Sequence, residues 1–271
     1  MESEWNREFI MQKEKLIRFL EKFAPKNLAE DWDNVGFLLG KREGEVKRVY
    51  LCLDVDSFAV KTAIEEGCDF ILSHHPFIFK GLKSVTEENV QGKKIISLIE
   101  NKISVFSMHT NFDSVEKGMA DLVAEKLGWK KEGVIEAVTP SENGVEQGIG
   151  FFTHPDKEYS CEELANYVKE SCKLPYIEYF DSGRKIRKLA VCPGSGRSLL
   201  SSLPSDVDAF ISGDFGHHDA VDSMEKGLSL INAGHYGLEH FFVPYMKSLI
   251  RRHFPEIELI EEKIHFPGKV L

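Results

Sequence analysis

The chain lacks the patterns that mark a secreted, membrane-spanning or nucleic-acid-bound protein. Its five cysteines, Cys52, Cys68, Cys161, Cys172 and Cys192, are odd in number and contain no C-x-x-C pair. A disulfide framework or thiolate zinc site is therefore not expected, and the apolar runs around most of them read as reduced core positions of a cytoplasmic protein. No stretch approaches the roughly eighteen uncharged apolar residues a bilayer crossing needs. The N-terminal apolar residues are broken by Lys13, Lys15, Arg18 and Glu21, so the start reads as an amphipathic helix and not a signal peptide. Positive charge is in deficit, with 34 Lys and Arg against 44 Asp and Glu and a net charge of −10, which opposes binding to phosphate backbones. The one local exception, Arg184-Lys185-Ile186-Arg187-Lys188, reads as a solvated strand edge. Neither a Walker lysine motif nor a G-x-S-x-G elbow occurs, which removes the main support for phosphate-loop and serine-hydrolase readings. Pro193-Gly194-Ser195-Gly196 has the look of a phosphate-binding turn, but Leu199 stands where a dinucleotide fingerprint wants glycine.

What the chain does hold is an ordinary globular balance, 42% apolar and 29% charged, patterned as alternating strands and helices. Val49 to Val55, Phe70 to Ser73 and Ile103 to Met108 read as strands. Ser57 to Glu66 and Asn89 to Asn101 read as the helices between them, from apolar residues at three- and four-residue intervals. A second series follows: a strand near Gly148 to Thr153, a helix opened by the capping-box spacing of Ser160 and Glu163, then strands at Leu189 to Cys192, Ala209 to Ser212 and Leu228 to Asn232. The alternation predicts α/β architecture, with two similar lobes, each a mostly parallel sheet flanked by helices. The turn-rich stretch from Thr139 to Gly148 places the lobes at 1–138 and 139–271. The two series line up as diverged copies. Cys52 to Ser73 and Cys192 to Ser212 span nearly equal lengths, each leads to a histidine pair (His74-His75, His217-His218), and each ends in a histidine with an acid four residues on (His109 with Asp113, His235 with Glu239). Duplication would bring equivalent strand ends to a shared cleft.

Those strand ends carry the chemistry. Ser73-His74-His75-Pro76 stops an apolar strand with two imidazoles, and Pro76 ends the ladder. At a fraying strand end both rings can turn to one pocket, although a plain surface pair is the alternative. His109 could bind a metal, carry a proton or anchor a ligand, and Asp113 could bind a metal or cap a helix. His235 and Glu239 lie on one face if a helix includes both, with Gly234 and Gly237 giving room for close backbone approach. Taken together, His74, His75, Asp113, His235 and Glu239 predict a site for two divalent ions, of zinc, manganese or iron, because imidazole and carboxylate without thiolate suit those metals. A metal-bound hydroxide would be the nucleophile. Asp214, His217 and His218 are expected around this site as supporting or substrate-contacting groups. Trp32-Asp33-Asn34-Val35-Gly36 reads as a packed turn, with a place at the cleft rim as the alternative.

Five motifs in this order resemble the family named for NGG-one-interacting factor three, often called GTP cyclohydrolase one type two. They are Trp32 to Gly36, Ser73 to Pro76, His109 to Asp113, Ser212-Gly213-Asp214-Phe215-Gly216-His217-His218 and Gly234-His235-Tyr236-Gly237-Leu238-Glu239. The resemblance covers nearly the whole chain and implies two α/β lobes, a dinuclear centre and a ring of six subunits. Carried over by position, the ligands would be His74, His75, Asp113, His235 and Glu239, with Glu239 touching both ions. Leu238 departs from the pattern, since relatives commonly carry a hydroxyl residue there. The stretch between the two series is too short for the ferredoxin-like insert of some relatives, so the chain resembles the compact form. The expected function is metal-dependent hydrolysis of a nucleotide-like or phosphoester substrate. The competing reading is a non-enzymatic, metal-dependent ring that binds other proteins.

Overall fold

In the computed structural model the described residues are 12–140 and 146–268. Ser141, Asn143 and Gly144 of the expected lobe boundary lie outside them. In chain order the elements are α1 (Lys13–Phe23), β1 (Gly36–Leu39), β2 (Arg48–Cys52), α2 (Ser57–Glu65), β3 (Phe70–Ser73), α3 (Val90–Glu100), β4 (Ser104–Ser107), α4 (Thr110–Ser114) and α5 (Met119–Leu127). There follow β5 (Glu136–Pro140), β6 (Glu146–Ile149), β7 (Phe151–Thr153), α6 (Cys161–Cys172), β8 (Glu178–Phe180), β9 (Leu189–Ser195) and β10 (Ala209–Gly213). The chain ends with α7 (His217–Glu225), β11 (Ser229–Asn232), α8 (His235–Glu239), α9 (Phe242–His253) and β12 (Glu258–Glu261). No helix among the described residues is long and apolar enough to cross a membrane.

The chain divides into two compact units. The first comprises residues 12–112 and Phe242–Ile264, and the second comprises Asp113–Phe241 and residues 265–268. The division thus falls at Phe112 and not at 139, and the chain returns to the first unit near its end. The return has a physical cause: β12 pairs parallel with β2, and Leu53 N–H, just past β2, donates to Glu262 Oε1 at 3.0 Å.

In the first unit the sheet order is β1-β4-β3-β2-β12, parallel throughout except for β1, which pairs antiparallel with β4. β3 and β4 are buried at every position, as strands covered on both faces must be. Side-chain caps start the flanking helices: Asp56 accepts from Ala59 N–H and Asn89 from Gly92 N–H, both at 2.7 Å. The register pairs Cys52 with Ser73 and Ser73 with Ser107, so three parallel strands stop at one edge.

In the second unit the order is β7-β9-β10-β11-β8, with β9, β10 and β11 parallel and both outer strands antiparallel. The single strand expected near Gly148 to Thr153 is two, β6 and β7, separated at Gly150, whose φ of +65° breaks the ladder. The capping box at Ser160 forms as its spacing predicts, with Glu163 reaching back to the Ser160 N–H. Again the parallel strands end together, with Ser212 opposite Asn232 and Gly213 opposite Ser195.

Candidate metal site

Side chains just beyond in-register parallel strands leave the sheet at its carboxyl edge, where α/β proteins place their ligands. In the first unit that edge delivers Asp54 after β2, His74 and His75 after β3, and Met108 and His109 after β4. The ladder runs two residues past β3, with His74 N–H donating to Cys52 O at 3.2 Å and His75 N–H to Leu53 O at 2.9 Å. His74 is fully buried, its ring against Phe242 and Phe112 with centroids 5.2 and 6.1 Å away. His74, His75 and His109 each offer a ring nitrogen, and these three atoms lie within 4.8 Å of one another.

Each of these rings is anchored through Nδ1. The partner is Met108 O for His74 at 2.7 Å, Asp54 Oδ1 for His75 at 2.9 Å and Asp33 Oδ1 for His109 at 3.0 Å. Asp33 also accepts from Thr110 N–H at 3.1 Å and Thr110 Oγ1–H at 2.5 Å, which holds the α4 turn against it. Burial alone would raise the Asp33 pKa, but the bonds from His109 and Thr110 outweigh it and hold the carboxyl below its ordinary value. Trp32 beside it is 59% exposed and lies edge-on to Phe79 and His109. Asn34 donates to Ile78 O at 2.5 Å. The Trp32 to Gly36 segment is therefore a packed turn that also reaches the histidine cluster.

The second unit builds its part from β9, β10 and α8. Gly234, with φ +74° and ψ 150°, lets the chain turn sharply from β11 into α8, which includes both His235 and Glu239. His235 Nδ1 lies 2.7 Å from Asp214 Oδ2, and its Nε2 lies 3.2 Å from Glu239 Oε2. Glu239 is 3% exposed and presses on the backbone at Gly194, where a Cβ would stand 2.1 Å from Glu239 Oε1. That contact explains the Pro193-Gly194-Ser195-Gly196 turn: its glycine makes room for a carboxylate of this chain. Asp113 lies within α4, and α5 is capped by Gly118, so Asp113 is not the cap of the following helix. Burial first, and then the Asp113 and Glu239 carboxylates, push the buried Cys192 thiol far up.

The donor chemistry fits a cation. The Asp214 carboxylate accepts, so His235 Nδ1 carries the proton, and in a neutral imidazole Nε2 then turns a lone pair toward the Glu239 oxygen. Two lone-pair donors facing each other at 3.2 Å call for a proton or a metal ion between them. A cavity of about 490 Å³ lined by Tyr176, Glu178, Asn232, Tyr236 and Phe266 opens beside His235. In the first unit a cavity of about 460 Å³ lined by Phe77, Phe79, Leu82 and Lys94 opens beside His75. Each is large enough for a small organic ligand.

His217 and His218 lie exposed at the start of α7, ring to ring at 5.2 Å. Among the described residues they belong to no group able to hold a metal. Asp33 and Asp54 were not singled out from sequence as anchoring groups. A signal was present for Asp54, because Asp54 precedes His75 by 21 residues and Asp214 precedes His235 by the same 21. In each case the carboxylate follows the strand next to the one that ends in the histidine. The five cysteines are free and buried.

A family model described as Duf34/NIF3 (NGG1p interacting factor 3) matches residues 11–266. A protein of Clostridium acetobutylicum named GTP cyclohydrolase 1 type 2 homolog is 38% identical over 226 residues, 83% of this chain and 84% of its own length. NGG1-interacting factor 3 of Saccharomyces cerevisiae is 29% identical over 262 residues, covering 89% and 91% of the two chains. Among solved structures, reduced HcgD from Methanocaldococcus jannaschii superposes with a TM-score of 0.82 at 28% identity, covering 94% of this chain and 98% of that one. A Bacillus cereus protein related to NIF3 reaches 0.85 at 21% identity, covering 97% and 100%, a likeness of fold alone. With its five ordered motifs inside a match that runs almost from end to end, the chain belongs to the DUF34/NIF3 family.

Proposed function

We propose that this protein is a metal-dependent hydrolase that holds two divalent ions through His74, His75, Asp113, His235 and Glu239. The reading is carried by His235, which turns Nε2 toward the buried Glu239 carboxylate while Asp214 holds its Nδ1. The anchored imidazoles of the first unit support it with further nitrogen donors. When bound, divalent ions in such a donor set polarise a carbonyl or phosphoryl oxygen and acidify water. The residues of the chain supply the rest. Asp54 and Asp214 orient His75 and His235, Gly194 seats the Glu239 carboxylate, and the cavities beside His75 and His235 receive the organic part of the substrate. A nucleotide-like or phosphoester substrate suits this arrangement, and the name of the Clostridium relative points to ring opening of a purine nucleotide. The same resemblance supports a ring of six subunits, which native mass spectrometry would test.

The decisive experiment is turnover. Protein loaded with zinc, manganese or ferrous iron is expected to hydrolyse at least one member of a nucleotide and phosphoester panel, and Glu239→Ala to abolish that activity. Inertness with every metal, together with metal-dependent capture of a protein partner, would favour the second reading, a non-enzymatic scaffold. The yeast relative's name, an interacting factor, supports that alternative.

A further inference from the structure

The cavity beside His235 in the second unit has a charge pattern of its own. Its volume is about 490 Å³, and its lining holds two carboxylates, Glu178 and Asp214, with no lysine or arginine. By contrast, the cavity beside His75 holds Lys80 and Lys94, and one beside α7 holds Arg197 and Lys226. An anionic group of a ligand therefore finds no opposite charge on the walls next to His235. Asp214 is engaged by the His235 ring at 2.7 Å, which leaves Glu178 as the carboxylate that meets a ligand.

Glu178 is oriented by its neighbours. It stands opposite Asn232 in the register of β8 and β11, and Asn232 Nδ2–H donates to its Oε2 at 3.1 Å. Asn232 is itself fixed, because its Oδ1 accepts from Gly234 N–H at 3.2 Å. Those two bonds settle which end of the amide is the donor, and that donor holds the carboxylate. An ionised carboxylate only accepts, and its two coplanar oxygens suit a pair of parallel N–H groups. The surrounding walls include Tyr176, Tyr236 and Phe266. Tyr236 stacks on His240 with centroids 6.0 Å apart, its hydroxyl accepts from His265 N–H at 3.2 Å, and Phe266 lies edge-on to it at 5.2 Å. Aromatic walls held in this way favour a flat ligand group.

We propose that this cavity selects a planar group presenting two parallel N–H donors and no negative charge, with Glu178 as the residue that accepts them and Asn232 as the positioning residue for Glu178. A guanidinium and the amino-lactam edge of a guanine-type ring share this chemistry. The proposal rests on the proposed function only in giving the cavity to the organic part of the substrate, and it requires neither a bound metal nor turnover.

The test titrates the full chain, stripped of metal, with guanosine, inosine, adenosine and methylguanidinium by calorimetry. Either guanosine or methylguanidinium is expected to bind, and the tighter of the two identifies the source of the N–H pair. Inosine lacks the exocyclic amine and adenosine turns a ring lone pair toward the carboxylate, so each should bind about tenfold more weakly than the preferred probe. Glu178→Gln replaces an acceptor with a donor on an exposed side chain, and is expected to weaken the preferred probe by about tenfold and to erase its advantage over adenosine. Asn232→Asp keeps an acceptor for Gly234 N–H but withdraws the donor from Glu178. It should narrow the same ratio, a selective change that a general loss of fold does not produce. Failure of both probes to bind, adenosine binding as tightly as the better of them, or undiminished selectivity in Glu178→Gln would overturn the proposal. An inert protein that keeps Glu178-dependent selection would instead remove the hydrolase reading and leave this cavity's specificity standing.

Discussion

At the scale of single residues, the placing of His235 and Glu239 depends on Asp214 and Gly194 beside them. Asp214 sits at φ +62°, a left-handed conformation that asparagine also tolerates. Asp214→Asn should therefore fold normally and change stability by less than about 0.5 kcal/mol. The hydrogen bond that orients His235 would weaken, and metal affinity should drop about tenfold, read by chelator competition. Gly194 is the opposite case. At φ +73°, with Glu239 Oε1 where its Cβ would go, alanine meets both backbone strain of about 1–2 kcal/mol and a carboxylate that must move. Gly194→Ala is expected to lower the urea midpoint and to lose metal together. A variant that kept full metal stoichiometry would show that Glu239 does not need this seat.

At the scale of elements, α1 carries an unusual burden. Lys13 at its first turn is 7% exposed and donates to Ser104 Oγ at 3.2 Å. Burial lowers its pKa from the ordinary 10.5, with Asp69 opposing the shift. A lysine whose folded pKa is depressed binds fewer protons in the folded chain than in the unfolded one. Stability should therefore rise with pH between the depressed value and about 10.5, and the full penalty holds below that window. Lys13→Met should stabilise the protein at neutral pH by about 1 kcal/mol, and the advantage should shrink as pH climbs toward 10.5. Urea unfolding at several pH values checks both parts. An unchanged advantage across pH would show that the ammonium is well solvated, and one that grew with pH would show a raised folded pKa, an ammonium stabilised by its partners.

At the scale of the whole molecule, the first unit is not complete until the chain has passed through the second. α9 buries Phe242, Val243, Met246 and Ile250, and β12 covers the β2 edge. Four buried side chains at roughly 2 kcal/mol each amount to most of the ~5–15 kcal/mol by which a domain is stable. A chain ending at Phe241 should therefore leave the first unit unfolded and the β2 edge open to aggregation. Hydrogen exchange would report the loss as unprotected amides in β2 and β3. Native-like protection there would mean that the N-terminal segment folds without its C-terminal strand.

Much of this was legible in the sequence, because local rules set it. β3 spans Phe70 to Ser73 as its apolar run predicts, α3 lies between the expected Asn89 and Asn101, and the Ser160 box caps α6. Histidines and acids at abrupt strand ends were visible as donors for the same reason. The antiparallel edge strands β1, β7 and β8 are short, the antiparallel partner β6 is also short, and β1 is half-buried along its length, so none carries a strong period of its own. The pairing of β12 with β2 spans almost the whole chain, and no local pattern encodes it. The same holds for Asp33 against His109, separated by 76 positions. A side chain's type says what it can donate or accept, and its neighbours in the sequence say which element it ends. Which nitrogen of each histidine is protonated depends on a carboxylate or carbonyl brought to it by the packing of other strands, and only the tertiary structure decides that.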